Sequence, residues 1–310
     1  MIEILEGPHE TNLDTLSIEA MNCTFYIAIS NSEVPDWKQT VTAFLHYIDS
    51  EFSRFKTHNE LWRFNEASLN STVNVSPLLY DLLKKAEDYR MQTEGRFSVC
   101  MLTQLENHGY YQSFPFPAAK KATETLSFYK MEPEPFIFHG DGSITKKTEK
   151  KVDLGGIAKG YAVEAIAKWL QQEACARFGM VDGGGDIAVW SNGEKTWRIG
   201  VMDPLDEVKE IGTFTILNGG IATSNTIYRS WLQEGVQKSH LLDGRTAMPV
   251  QSSLIQATVI TEHCLDAEIG AKICFMSDHP SPHTVLSKII KNYQYVFVTT
   301  DKQVVTGRSS

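Results

Sequence analysis

In the central part of the chain, apolar residues follow the spacing of strands in two stretches and the spacing of a helix between them. Apolar residues recur at helical intervals from Tyr161 onward, with Ile166 and Leu170 on one face. The apolar stretch Lys151–Leu154 before it is typical of a short strand, and Met180–Trp190 after it is typical of a strand interrupted by glycines. The pattern therefore predicts a strand, a helix and a second strand, with a glycine turn at each end of the helix.

The same two periods mark the elements on either side. Helices are predicted at Trp37–Phe52, from Ser76 with Pro77 in the first turn, and from Leu265. Strands are predicted at Leu16–Ile29, Trp197–Val201, Ile211–Leu217, Gln256–Ile260 and Tyr293–Thr299. Residues 101–150 are predicted to be irregular, with a hairpin turn at Asp141–Ser143. Many hairpin signals and few crossover helices favour the α+β class.

Composition excludes several classes of partner. A length of 310 residues allows one large domain or two of ordinary size. The net charge of −9 argues against nucleic acid, whose phosphates require clustered Lys and Arg. No apolar run approaches the roughly 20 residues of a membrane span. The five cysteines are scattered without a C-x-x-C motif, which argues against a zinc site.

The glycine turn before the central helix carries candidate phosphate-binding groups. Gly155, Gly156 and Gly160 surround Lys159, and free amides at a helix start beside a lysine suit a phosphate or diphosphate. Two ordinary tight turns explain the same glycines without a ligand. No stretch matches the Walker A motif, and the G-G-x-x-x-G spacing does not match the Rossmann fingerprint. A nicotinamide site is therefore disfavoured.

This stretch also carries a family resemblance. DLGGIAKGYA, from Asp153, followed by GGGDI, from Gly183, resembles the core signature of the ApbE family of FAD:protein FMN transferases. HLLDGRTAMP, from His240, resembles the family's H-I-I-D-P-R-T-G-x-P, with Gly244 in place of the usual proline and Ala247 in place of the usual glycine. Shorter similarities lie around Met21, Phe55, Thr93–Ser98 and Thr223, so that the resemblance spans about Met21 to Phe275.

The resemblance implies a fold, a reaction and a location. The fold is expected to be a single ApbE-like, T-fold-like α+β domain over residues 1–310, with mixed, mostly antiparallel sheets and a cofactor cleft between subdomains. The reaction is expected to be the Mg²⁺-dependent transfer of FMN from FAD to a Thr or Ser hydroxyl of an acceptor flavoprotein, with release of AMP and a possible FAD pyrophosphatase side activity. The N-terminus as given has no secretory signal, so the cytoplasm is expected, or export as a lipoprotein if a leader was removed.

The resemblance also assigns roles to individual residues. His240 and Asp243 are the expected catalytic residues, with His240 accepting or relaying the proton of the acceptor hydroxyl. Mg²⁺ prefers oxygen ligands, and the family places a carboxylate and, four residues later, a threonine on one helix face. These positions are assigned to Asp266 and Gly270, with the Gly156 carbonyl as a third ligand. The expected FAD-binding residues are Met21, Phe55, Arg96, Phe97, Ser98, Asp153, Lys159, Thr223 and His240.

Two departures from the family pattern leave an alternative open. Ser98 stands where the family has an aspartate, and Gly270 stands where it often has a threonine. A protein with these changes would bind FAD without cleaving it. The alternative to a transferase is therefore an FAD-binding protein, and a nicotinamide oxidoreductase is a third and poorer hypothesis.

Overall fold

The computed structural model describes residues 2–5, 13–116, 129–193, 195–277 and 283–309. Its strands are β1 Ile2–Leu5, β2 Asp14–Ala20, β3 Cys23–Ile29, β4 Thr72–Asn74, β5 Phe136–Phe138, β6 Ser143–Lys146, β7 Phe178–Gly183, β8 Asp186–Ser191, β9 Thr196–Asp203, β10 Asp206–Ile216, β11 Gly219–Asn225, β12 Ser230–Gln233, β13 Val236–Ser239, β14 Leu254–Thr261, β15 Gln294–Thr299 and β16 Val304–Arg308. Its helices are α1 Trp37–Glu51, α2 Glu60–Glu66, α3 Pro77–Gln92, α4 Leu102–Asn107, α5 Ala158–Gln172, α6 Cys264–Ile273 and α7 His283–Leu286, with a 3₁₀ turn at Cys274–Met276.

An eight-stranded sheet organises the molecule. Its strand order is β16-β15-β14-β11-β8-β7-β3-β2, and three smaller sheets have the orders β1-β9-β10, β4-β6-β5 and β12-β13. Every strand pair within the described ranges is antiparallel. The predicted α+β class with mostly antiparallel sheets is therefore confirmed, whereas a Rossmann site would need parallel strands. No helix in the described ranges is long and apolar enough to cross a bilayer.

Alternation along the central strands produces two apolar layers. Phe25 and Ile27 of β3 point into the core shared with the helices. Ala28 of β3 and Met180 of β7 point to the opposite face, where Trp197 of β9 covers them. Because successive side chains of a strand alternate between faces, one sheet buries apolar surface on both sides. The helix side of the sheet carries the functional site.

Helices α5 and α6 lie beside each other on this sheet, α5 against β7 and β8 and α6 against β11 and β14. The predicted apolar face of α5 is buried, but the helix begins at Ala158, three residues before the predicted start. Gly160 explains how closely the two helices approach, because a Cβ there would lie 2.5 Å from Oε2 of Glu268. The start of α5 and the middle of α6 therefore meet.

Two predicted strands are wrong. Lys151–Leu154 is not a strand, because the Asn65 side chain satisfies both backbone groups of Val152: Nδ2 donates to its carbonyl over 2.9 Å and Oδ1 accepts from its N–H over 2.7 Å. Leu16–Ile29 is a hairpin, β2 and β3, rather than one strand. Its two turn residues, Met21 and Asn22, have φ of 50° and 61°, as tight hairpin turns require.

Other boundaries shift by smaller amounts. The segment Gly220–Asn225, which contains Thr223, lies within strand β11. A strand that was not predicted, β16, pairs with β15 at the sheet edge. The irregular segment 101–150 contains α4, β5 and β6, and the predicted turn at Asp141–Ser143 joins β5 to β6. Residues 117–128 of that segment lie outside the described residues.

The glycine at position 244 is required by its surroundings. Its N–H donates to the Arg96 carbonyl over 2.8 Å, and a Cβ would lie 2.8 Å from that same oxygen and closer still to the Gly95 carbonyl. A proline, which the family pattern usually has here, would lose this hydrogen bond and meet both carbonyls. The turn from Asp243 to Ala247 therefore packs directly against residues 95–96.

We expect Gly244→Ala to lower the free energy of unfolding by about 1–3 kcal/mol, the usual cost of overpacking. The measurement is urea unfolding followed by circular dichroism. Gly140→Ala is the matched control, because Gly140 is exposed and a Cβ there would meet nothing within 4 Å. Equal urea midpoints for the two variants would contradict this account of the turn.

Candidate functional site

A single cavity gathers most of the predicted site residues. Its volume is about 380 Å³, within the range of small-molecule sites. The wall is built from the β2–β3 turn, the end of α1, the loop after α3, the glycine turn before α5, the segment after β13 and the end of α6. The predicted residues that line it are Met21, Phe55, Arg96, Phe97, Ser98, Asp153, Gly156, Lys159 and His240.

Two predicted residues lie elsewhere. Thr223 sits in β11, where its hydroxyl is 2.9 Å from that of Thr258 on the neighbouring strand. The Asp243 carboxylate accepts from the Arg245 guanidinium over 2.6 Å and stabilises its own turn. Neither residue is part of the cavity wall. The structure therefore gives no support to FAD binding by Thr223 or to a catalytic Asp243.

The predicted metal pair on α6 also faces away from the cavity. Asp266 accepts a hydrogen bond of 2.6 Å from the Tyr89 hydroxyl. Gly270 faces the apolar core, since a Cβ there would lie 3.1 Å from both Leu286 and Ile290. The Gly270 carbonyl accepts from the N–H of Cys274 at the helix end. The structure therefore gives no support to Asp266 and Gly270 as metal ligands, because neither residue is part of the cavity wall.

The pair that faces the glycine turn lies two residues further along α6. Glu268 is 1% exposed, and its Oε2 accepts from the N–H of Gly160 over 3.0 Å. Its Oε1 accepts from Nζ of Lys272 over 3.0 Å, and Lys272 lines the cavity. Sequence reasoning missed this pair. The signal in the sequence was a pair of opposite charges, Glu268 and Lys272, four residues apart among mostly apolar residues of a predicted helix.

The lysine predicted from the glycine motif is held at the cavity wall by an acidic residue. Lys159, in the first turn of α5, forms an ion pair with Asp186 at the start of β8. Burial works against the charged form of Lys159, but the carboxylates of Asp186 and Glu268 outweigh it and raise the pKa. The second glycine turn, Gly183–Gly185, thus contributes to the cavity indirectly, because Asp186 directly after it holds Lys159 at the wall.

Arg54 is a third site residue that sequence reasoning missed. Its guanidinium lies 4.4 Å from the ring of Phe55 and 4.3 Å from the ring of Tyr110, with Nε 3.3 Å from Asp153. Its Nη1 donates to the Tyr110 carbonyl over 2.8 Å, whereas its Nη2 is buried without a hydrogen-bond partner among the described residues. Buried donors are nearly always paired, and Arg54 lines the cavity, so its Nη2 is suited to donate to a ligand acceptor.

His240 lies directly after β13, and its Nδ1 is 3.3 Å from the Arg229 carbonyl. A carbonyl oxygen can only accept, so Nδ1 carries the proton and Nε2 keeps a lone pair. Burial lowers the pKa of His240 to about 3, and the neighbouring charges of Arg229 and Lys272 add to the effect. The imidazole is therefore neutral at pH 7, with the lone pair of Nε2 available as a hydrogen-bond acceptor.

The cavity is strongly cationic in a protein of net charge −9. The basic side chains in its wall are Arg54, Lys56, Arg96, Lys159, Arg229 and Lys272. The acidic ones, Asp49 and Asp153, are paired with Lys56 at 2.7 Å and Arg54 at 3.3 Å. Apolar residues, including Met21, Phe52, Phe55 and Phe97, form much of the rest. The wall suits a ligand that has both an anionic group and an aromatic ring system.

Comparisons with known proteins show which family the chain belongs to. Residues 21–297 match the model of the ApbE family, and the chain therefore belongs to the ApbE family. It is similar to the FAD:protein FMN transferase of Escherichia coli strain K12, with 25% identity over 84% of this chain and 77% of the relative. The protein of the same name from Haemophilus influenzae is 26% identical over 97% of this chain and 91% of the relative.

Solved structures show the same fold. The ApbE protein of Thermotoga maritima superposes with a TM-score of 0.81 at 23% identity, covering 96% of this chain and 97% of its own. The flavin transferase ApbE of Vibrio cholerae gives a TM-score of 0.75 at 22% identity, with the same coverage of 96% and 97%. The ApbE-like fold expected from the two sequence motifs is thus confirmed.

The lowered pKa of His240 predicts a specific sensitivity to acid. In the unfolded chain the imidazole of His240 has a pKa of about 6.5, whereas in the folded protein its pKa is about 3. The neutral imidazole therefore makes its full contribution to the free energy of unfolding above pH 6.5, and this contribution is lost as the pH falls. Between pH 7 and pH 5 we expect the wild type to lose about 1–2 kcal/mol more than His240→Gln, measured by urea unfolding. Parallel losses in both proteins would contradict it.

Proposed function

We propose that this protein transfers the FMN half of FAD to a Thr or Ser hydroxyl of an acceptor flavoprotein and releases AMP. The observation that carries the proposal is the single cavity in which a neutral His240, the glycine turn with Lys159 and an aromatic wall meet. Membership of the ApbE family, and relatives named FAD:protein FMN transferase, support the choice of FAD as substrate.

The two kinds of wall residue correspond to the two chemical parts of FAD. The diphosphate needs cations and N–H donors, which Lys159, Lys272 and Arg54 supply. The isoalloxazine ring needs flat apolar contacts, and Met21 and Phe55 line the same cavity. One cavity of about 380 Å³ contains both kinds of residue. It would therefore hold FAD at the diphosphate, where the reaction occurs, and at the isoalloxazine ring.

The proposed chemistry is a substitution at phosphorus. The acceptor hydroxyl oxygen forms a bond to the FMN phosphorus, and the bond from that phosphorus to the bridging oxygen breaks, so AMP leaves with its electron pair. The hydroxyl proton passes to Nε2 of His240, which is unprotonated because Nδ1–H donates to the Arg229 carbonyl. Water in place of the hydroxyl would yield FMN and AMP, the pyrophosphatase side activity expected from the sequence.

The residues in this structure do not support the Mg²⁺ dependence implied by the resemblance. Mg²⁺ takes oxygen ligands in octahedral geometry, whereas Asp266 and Gly270 face away from the cavity and Asp49 and Asp153 are paired with cations. The residues present do not fit the ion, and no step above requires it. Metal dependence therefore needs a direct test.

The same observation favours a second candidate function. A chain whose metal positions have changed would retain FAD without transferring FMN. This alternative predicts bound, intact FAD and no AMP. The transferase predicts AMP together with a covalent flavin on the acceptor, so one assay separates the two.

The transfer assay incubates the protein with FAD and a flavin-free flavoprotein that contains an acceptor threonine. We expect AMP by chromatography and a fluorescent flavin band on the denatured acceptor. Because His240 would accept the hydroxyl proton, His240→Gln should reduce the rate at least about 100-fold while leaving FAD affinity within about threefold.

His46→Gln is the control for this substitution, since His46 is exposed on α1. It should transfer FMN at the rate of the wild type. A His240→Gln variant that retains the full rate would remove His240 from the mechanism. Intact FAD without any AMP would establish the binding protein instead.

A further inference from the structure

We infer that the ammonium group of Lys272 takes the place of a divalent cation at the glycine turn, so that this protein binds the diphosphate of FAD without a metal. The inference rests on the proposed function for the identity of the ligand. It deepens that proposal by naming the group that neutralises the diphosphate. Its starting point is the disagreement between the expected magnesium ligands and the residues that face the cavity.

The position of Lys272 is the first observation. Its side chain is 12% exposed and lines the cavity, and its Nζ is 3.0 Å from Oε1 of Glu268. Its Cε lies 3.8 Å from where a Cβ on Gly156 would be, the glycine expected to ligate a metal through its carbonyl. A positive charge is thus already built into the place where the cation was expected.

The second observation is that both carboxylate oxygens of Glu268 already accept hydrogen bonds from protein groups. Oε2 accepts from the Gly160 N–H over 3.0 Å and Oε1 accepts from Lys272 over 3.0 Å. The carboxylate is 1% exposed, so its two partners are protein groups rather than solvent. A divalent ion at Glu268 would have to displace the ammonium or lie against it, and like charges in a shielded site repel strongly.

The remaining carboxylates do not form a metal site either. Asp186 is paired with Lys159, Asp153 with Arg54, Asp49 with Lys56, and Asp266 accepts from a tyrosine hydroxyl. Over the ranges that the structure describes, no three or more His, Cys, Asp or Glu residues are grouped to hold a metal ion. The site therefore has the cation partners of a phosphate pocket without the oxygen cage of Mg²⁺.

The chemistry of an ammonium fits this role. Lysine binds phosphate as a compact point charge with three N–H donors. Two of the donors of Lys272 go to Glu268, to Oε1 at 3.0 Å and to the backbone carbonyl at 3.4 Å, which leaves one for a ligand. Lys159 supplies the second positive charge on the same wall. Together the two lysines provide the charge that one Mg²⁺ would bring.

The test measures FAD affinity by the quenching of flavin fluorescence, in EDTA and in excess Mg²⁺. The wild type should bind with the same dissociation constant, within about twofold, in both conditions. Lys272→Met should weaken binding at least about tenfold, and Mg²⁺ should not restore it. Lys168→Met is the matched control, because Lys168 is exposed on α5, and it should bind like the wild type.

Two double variants check that the loss of FAD affinity does not come from a destabilised fold. Glu268→Gln with Lys272→Met removes both charges, so that no unpaired carboxylate remains buried, and it should show the same loss of affinity. Glu268→Asp with Lys272→Thr provides two oxygen groups at these positions. It should bind FAD weakly in EDTA and regain at least about tenfold on addition of Mg²⁺ or Mn²⁺.

The outcomes separate the inference from the proposed function. Wild-type affinity that falls about tenfold or more in EDTA and returns with Mg²⁺ overturns the inference. AMP release that requires Mg²⁺ overturns it too, while leaving the transfer intact. FAD bound in EDTA without any AMP supports the inference and overturns the transfer. Absence of FAD binding in both conditions overturns both.

Discussion

The site depends on one buried carboxylate. Glu268 accepts hydrogen bonds from the Gly160 N–H at the start of α5 and from Lys272 one turn along α6. An unpaired carboxylate with 1% exposure would be very costly. These two partners must therefore stay in place, and they join the two helices at the point where the glycine turn enters α5. Gly160 has no Cβ because the carboxylate occupies that space.

This contact determines the electrostatics of the cavity. The amide at the start of α5 that was expected to be free for a phosphate is partly taken by Glu268, and the lysine of the same turn is held by Asp186. Each carboxylate thus fixes a cation at the wall rather than facing the ligand. The wall is consequently cationic although the protein carries a net charge of −9, and its shielding from solvent keeps His240 neutral.

The difference between this chain and the family pattern of metal ligands lies in one helix, α6. The resemblance implied a carboxylate and an oxygen group four residues apart on α6, at Asp266 and Gly270. The face of α6 that meets the glycine turn instead carries Glu268 and Lys272, with the same separation. A displacement of two residues along a helix rotates a side chain by about 200°, which is why Gly270 ends in the apolar core beside Leu286.

The sequence alone determined the α+β class, most helix positions and the glycine turn with Lys159, whereas His240 was assigned through the family resemblance of its motif. These follow from local periodicity and from short motifs. The tertiary structure alone showed that Val152 bonds to Asn65 instead of forming a strand, and that Arg54 packs against two aromatic rings with one donor unpaired among the described residues. It also decided which face of α6 meets the glycine turn before α5. Those facts depend on contacts between residues far apart in the chain, and no local pattern encodes which distant side chain will satisfy a buried polar group.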